Sequence, residues 1–198
     1  MATQLEIANW GLTLIGEPRL SDLSDDDSMA EAITAHWDFL RDRAIRKQAW
    51  HCHIERATVS ADSDAPAWGY DYQYTMDGDV VRVIQVGDIY PIPSVSDYRA
   101  SDLSMYKIEG RKILTNDSGP LNVRWLVNSK PVGEWDASFA ALLAADIAEH
   151  LQPKAGEAIA RRIQEWRAQA QAEAAMTNAI EDPPEPLADD TWMAAHNA

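Results

Sequence analysis

Positive charge is scarce in this chain. Its 198 residues include 17 Lys and Arg against 32 Asp and Glu, a formal net charge of −15. Phosphate affinity comes from Lys and Arg, so this balance argues against a protein that grips nucleic acid; it leaves room for one that surrounds DNA without holding it. Cysteine is almost lacking. Cys52 stands alone, which excludes an intramolecular disulfide and makes a reducing compartment the default. Glycine is limited to nine residues, and neither a phosphate-cradling glycine loop nor a Gly-x-Ser-x-Gly turn is present. The first residues, Met1 to Glu6, bring no basic segment and no long apolar run follows them, so no signal peptide and no membrane span are expected. A soluble chain is the expectation. The sequence has no internal repeat.

Hydrophobic residues make up 46% of the chain and include eight Trp, enough to bury a substantial core in one domain. Thr3-x-x-Glu6 is a capping-box pattern, Leu5, Ala8, Leu12 and Ile15 recur at helical spacing, and Gly16-Glu17-Pro18 is a stop, which predicts a helix over 4–15. Ser28-x-x-Glu31 is a second capping box after Asp25, Asp26 and Asp27, and Ile33, Trp37, Leu40 and Ala44 form the stripe of a helix over 28–50. Arg41, Arg43, Arg46 and Lys47 complement its C-terminal dipole; Asp38 with Arg41 and Asp42 with Arg46 are expected as exposed ion pairs. Asp136 is a plausible N-cap for a third helix over 137–151, marked by Phe139, Leu142, Leu143, Ile147 and Leu151. Ile159, Ile163, Trp166 and Ala170 define a fourth, over 154–176.

Between the second and third helices the periodicity changes. From Trp68 to Val127, Tyr, Val, Ile and Thr alternate or run together as they do on a pleated surface. Tyr106 to Thr115 reads as a hairpin with Gly110 supplying positive φ at its tip, and Leu121 to Val127 as a further strand. Tyr70, Tyr72 and Tyr74 share a face ahead of the apolar run Val80 to Val86. The reading is a small antiparallel sheet within 52–132, held between helices. Pro91 to Asp102, rich in Pro, Asp and Ser, is a long loop that suits a contact or motion. Past Met176 the composition shifts: the last 22 residues hold five acids and no Lys or Arg, with Pro183, Pro184 and Pro186 opposing helix. Residues 177–198 are therefore read as an extended tail beyond a domain of residues 1–176. Leu187, Trp192 and Met193 near its end are the candidate partner-binding residues, because large apolar side chains on an acidic tail serve as interface anchors.

No constellation reads as an active site, and no cofactor or metal is expected. His51-Cys52-His53, taken as the start of a strand, would send Cys52 to the opposite face from the two histidines. Asp22 to Ile33 imitates a calcium loop but has Asp27 where glycine is needed and Ile33 where an acid is needed. The tyrosine face could stack bases, although core packing suits so acidic a chain better. Paired carboxylates for glycoside chemistry have no distinguishing spacing here.

The landmarks also form an ordered series. Leu14-Ile15-Gly16-Glu17-Pro18 is followed by Leu20-Ser21-Asp22-Leu23 and an acidic helix start; Leu40-Arg41-Asp42 leads to Ala49-Trp50-His51-Cys52. Trp68 to Tyr74, the Val-rich strand, Tyr106 to Thr115, Trp135-Asp136-x-x-Phe139 and Trp192-Met193 come next. Over nearly its whole length this series resembles the head-to-tail adaptor proteins of tailed bacteriophages, the group that includes tail tubular protein A. The resemblance implies an α+β fold: an antiparallel bundle of four helices with an inserted small β-sheet and an extended C-terminal tail. It implies a virion protein that is not an enzyme, assembled in the host cytoplasm into a homo-oligomeric ring, a dodecamer. That ring joins the portal protein to the next tail component, nozzle or stopper, and DNA passes through its lumen without specific binding. By position, the tail around Trp192 and Met193 would clasp the portal; the arginine that often ends this segment in the family is replaced here by the neighbourhood of Ala195 and His196. A tail-associated cell-wall hydrolase is the alternative, and a nucleic-acid-binding module a third class.

Overall fold

The computed structural model describes residues 2–87, 106–151 and 156–181. Within them lie four α-helices and two three-stranded antiparallel sheets, an α+β arrangement. Helix α1 is Gln4–Ile15, closed at its start by the reciprocal Thr3–Glu6 capping box and at its end by Gly16 with φ 85°. Helix α2 is Ser28–Lys47. Its N-cap is Asp27, whose carboxylate accepts from the Met29 N–H at 2.7 Å, so Ser28 is the first helical residue instead of the cap. The helix ends three residues earlier than its apolar stripe predicts, because Gln48 turns to extended backbone and Trp50 folds back to donate its indole N–H to the Ala44 carbonyl at 3.0 Å.

The chain then takes a 3-10 turn over His51–His53, where alternation predicts a strand, and enters β1 (Ile54–Val59). Strands β2 (Tyr72–Thr75), β3 (Val80–Val86), β4 (Tyr106–Glu109), β5 (Lys112–Thr115) and β6 (Leu121–Val127) follow. They build two sheets where the sequence predicts one, in the orders β1-β6-β3 and β2-β5-β4. The β4–β5 hairpin forms as expected, with Gly110 at φ 60°. Helix α3 is Ala137–Leu151, entered through the Asp136 carboxylate accepting from the Ser138 N–H, and α4 is Glu157–Glu181, running past the predicted end at 176. The predicted 91–102 loop falls outside the described residues.

Helix α3 packs against each of the other three. Gly11 makes the tightest of these approaches possible: a Cβ there would lie 2.9 Å from the Ala144 carbonyl oxygen and 3.1 Å from Ile147 Cγ2. The helices enclose one core, around Ile7, Leu12, Ile33, Leu40, Leu142 and Ile147. A second lies between the sheets, around Tyr74, Ile113, Val123 and Trp125. Strand β6 divides them, turning Leu126 to the helices and Val123, Trp125 and Val127 to the other sheet. Strand β3 does the same at a spacing of three: Val80, Val83 and Val86 face the sheets while Val81 and Ile84 face the helices. A regular strand alternates by two, and the register shifts between Val80 and Arg82 and between Val83 and Gln85 insert the extra residues.

An aromatic knot closes the junction where the chain leaves α2 and returns to α3. Phe139 packs edge-on against Trp50, His53 and Trp135 at centroid distances of 5.0, 4.6 and 5.1 Å, and Trp135 stacks on Trp37 at 6.2 Å. His53 is fully buried, with Nδ1 donating to the Val127 carbonyl at 2.9 Å, and burial pushes its pKa down to about 4. The neutral imidazole is thus a core residue, bonded to the last residue of β6.

Candidate interaction surfaces

The predicted docking residues Leu187, Trp192 and Met193 lie outside the described residues. Of the tyrosine face, Tyr74 is fully buried, its hydroxyl donating to the Asp117 carbonyl at 2.6 Å, and Tyr72 packs against the same core. These rings are occupied by packing and are not a stacking platform. Among the described residues no group of three His, Cys, Asp or Glu side chains is placed to hold a metal ion. Cys52 is half-buried, and burial raises its thiol pKa, away from reactive thiolate.

The structure does gather charge at two places. On α3, Asp146 is completely buried and receives Lys47 at 2.8 Å and Arg43 at 3.4 Å from α2, and Arg167 from α4. Arg167 also bonds Glu149, and that hydrogen bond holds the Glu149 carboxyl below its usual pKa despite partial burial. One carboxylate therefore ties three helices together. A buried charge is tolerated only when its oxygens are paired, and here each is.

The second place is a cleft of about 410 Å³ between α2 and the start of β3, lined by Phe39, Val81, the cations Arg43, Arg46 and Arg111 and a single carboxylate, Asp42, among others. Arg46 donates to the Val81 carbonyl at 2.8 Å, and Arg111 donates to the carbonyls of Asp77 and Val80. Neither guanidinium meets a carboxylate within ion-pair distance among the described residues. The expected Asp42–Arg46 pair is not made, because Asp42 is taken by Arg41 at 2.8 Å and by Asn128 at 3.0 Å; the expected Asp38–Arg41 pair is made, at 2.9 Å. Phe39 stands 65% exposed at the cleft.

Trp68 is 86% exposed, on a loop fastened near both ends. Asp62 accepts from Thr75 and from Lys112 at 2.9 Å, the latter lowering its carboxyl pKa, and the Asp71 N–H donates to Asn116 at 3.1 Å. An exposed indole on a pinned loop binds a partner with little further loss of loop entropy. Ile108 on β4 and Met176 on α4 are further exposed apolar side chains. A smaller cavity of about 290 Å³ opens on the β1-β6-β3 sheet beside Arg56, Gln85 and Asn122.

Phe39 and Trp68 carry a local sequence signal; Arg46 and Arg111 do not. Phe39 lies off the 33-37-40-44 stripe of its helix, so a large aromatic there must face outward. Trp68 adjoins Pro66 and Gly69 in loop composition. The convergence of Arg46 with Arg111 had no local signal, since it depends on how the hairpin tip meets α2. Compared with family models and with curated proteins, the chain matches none.

Proposed function

We propose that this protein is a head-to-tail adaptor of a tailed phage or phage-derived particle, a ring-forming structural subunit that joins the portal to the tail around the DNA channel. The observation that carries the reading is the ordered series of landmarks from Leu14 to Met193, the only feature that spans the chain. The architecture is compatible with it: the β-strands are inserted between α2 and α3, and exposed apolar side chains stand at separate places (Phe39 on α2, Trp68 on a loop, Met176 on α4). The bundle geometry of the helices, the dodecameric ring and the portal-clasping role of residues 177–198 belong to this proposal.

The charge of −15 supports the same reading. An acidic lumen repels phosphates and lets the duplex slide, where a basic one would hold it. No helix among the described residues is long and apolar enough to cross a membrane.

The test is capture by a tailed-phage portal protein. Because α4 continues to Glu181, truncation belongs after that residue, not at 176. Truncation there is expected to leave the fold intact and abolish capture. Trp192→Ala is expected to weaken capture by about 2 kcal/mol, the scale of an aromatic anchor. Capture unaffected by both changes would remove the tail from the account, and zymogram clearing of cell-wall substrate would favour the hydrolase.

A further inference from the structure

The α2–β3 cleft is a positively charged, partly apolar recess on a strongly acidic protein, and the chain carries its complement. Residues 182–198 contain Asp182, Glu185, Asp189 and Asp190, no Lys or Arg, and the apolar Leu187, Trp192 and Met193. We propose that the cleft seats this C-terminal segment of the same chain, with Trp192 against Phe39 and the neighbouring carboxylates of Asp189 and Asp190 beside Arg46 and Arg111.

Charge, shape and reach each support the seating. Arg46 and Arg111 satisfy backbone carbonyls but leave guanidinium N–H groups with no carboxylate among the described residues, and a carboxylate is the strongest acceptor an arginine can take. Phe39 and Val81 add an apolar wall, and the volume of about 410 Å³ admits a large aromatic side chain. Helix α4 passes close by, since its Arg167 bonds Asp146, which Arg43 of the cleft also approaches. From Arg167 the helix runs about 21 Å to Glu181, and residues 182–192 span up to about 36 Å when extended, enough to return. The internal segment 88–105 is the weaker candidate: it departs from β3 at Gly87, the far end from Val80 and Val81, and carries Arg99.

Seated there, the segment covers Phe39, neutralises the cleft and keeps its own aromatic end out of solvent until a partner competes for it. This inference goes beyond the adaptor reading and does not require it, because it concerns the free chain.

Photo-crosslinking of the full-length chain tests it directly. With p-benzoyl-phenylalanine in place of Phe39, irradiation of dilute protein is expected to give crosslinks to residues 182–198 within one chain, as judged in a mixture of light and isotope-labelled chains. The yield is expected to fall about fivefold or more at about 1 M salt and in an Asp189→Asn, Asp190→Asn variant, because screening and neutralisation remove the attraction. Hydrogen exchange gives a second reading on unlabelled protein: amides of 182–198 are expected to exchange several-fold faster in Phe39→Ser than in the parent chain. Crosslinks that form only between copies, that map to other segments, or that fail to rise above background in folded protein would overturn the proposal. So would tail exchange that is indifferent to Phe39→Ser.

Discussion

At Asp146 three cations from two helices converge on one buried carboxylate, whereas at the α2–β3 cleft Arg46 and Arg111 bond only backbone carbonyls. The same helix, α2, supplies side chains to both places, with Lys47 turned to the first, Arg46 to the second and Arg43 reaching both. The difference is one of saturation. Around Asp146 every charge has a partner inside the fold, so the cluster contributes to holding α2, α3 and α4 in register and offers little to a ligand. At the cleft the fold leaves charge and an exposed aromatic unmatched, which adds little to stability and invites an acidic, apolar partner.

The largest way to break this contrast is Asp146→Ala. Removing the carboxylate leaves Lys47 without its ion-pair partner and Arg43 and Arg167 with Glu149 alone at a three-helix junction, and urea unfolding is expected to show a loss of about 3 kcal/mol. A loss below about 1 kcal/mol would show that the cluster is loosely held.

Acid probes the protein interior next. The folded pKa of His53 is about 4 against an ordinary 6.5, so the unfolded chain takes up the proton first. Stability is expected to fall as pH drops from about 6.5 to about 4, by roughly 3 kcal/mol from this residue, and to become insensitive to it below that. His53→Gln, measured over the same range, is expected to flatten this part of the profile. Glu149 adds a second acid loss in a lower window: its carboxyl is held low by Arg167, so its contribution is present above the unfolded carboxylate pKa and lost as pH falls through the lowered value. Arg167→Gln is expected to remove that second loss.

Changes at the cleft are expected to be small. Arg46→Gln and Arg111→Gln each forfeit hydrogen bonds to exposed or part-buried carbonyls, about 1 kcal/mol by thermal unfolding. Smallest of all, Phe39→Ser and Trp68→Ser are expected to change stability by less than about 0.5 kcal/mol by thermal unfolding, since both side chains are largely exposed. A large stability loss in either would mean that the exposed aromatic is a fold element, and the contrast would narrow.

What the sequence makes legible follows the range of the interactions involved. The Thr3–Glu6 capping box, the Gly16 stop and the 106–115 hairpin are local, and each forms as read. Helix α3 is equally clear, because Phe139, Leu142, Leu143, Ile147 and Leu151 recur at helical spacing, and it forms over the predicted bounds. The sheet was harder. Whether β6 pairs with β5 or with β1 and β3 is decided by contacts between strands distant in the chain; the real partners put Ile54 beside Leu126 and Val86 beside Val123, and one expected sheet becomes two. The run Val80 to Val86 conceals two register shifts, since its five apolar residues, interrupted only by Arg82 and Gln85, do not alternate and so do not show which of them face which core. His51–His53 alternates like a strand yet turns, because the buried His53 ring is drawn to Val127 and the aromatic knot. Of the candidate sites, Leu187, Trp192 and Met193 rest on composition and, for the last two, on position in the resemblance, and lie outside the described residues, while Arg46 and Arg111 meet only through tertiary folding.

The measurement that bears most directly on the adaptor reading is the solution mass of the purified full-length chain, alone and then mixed with a tailed-phage portal protein. The account predicts a ring-sized species, or a monomer that joins the portal in equal stoichiometry. A monomer that ignores the portal at every ratio tested would contradict it.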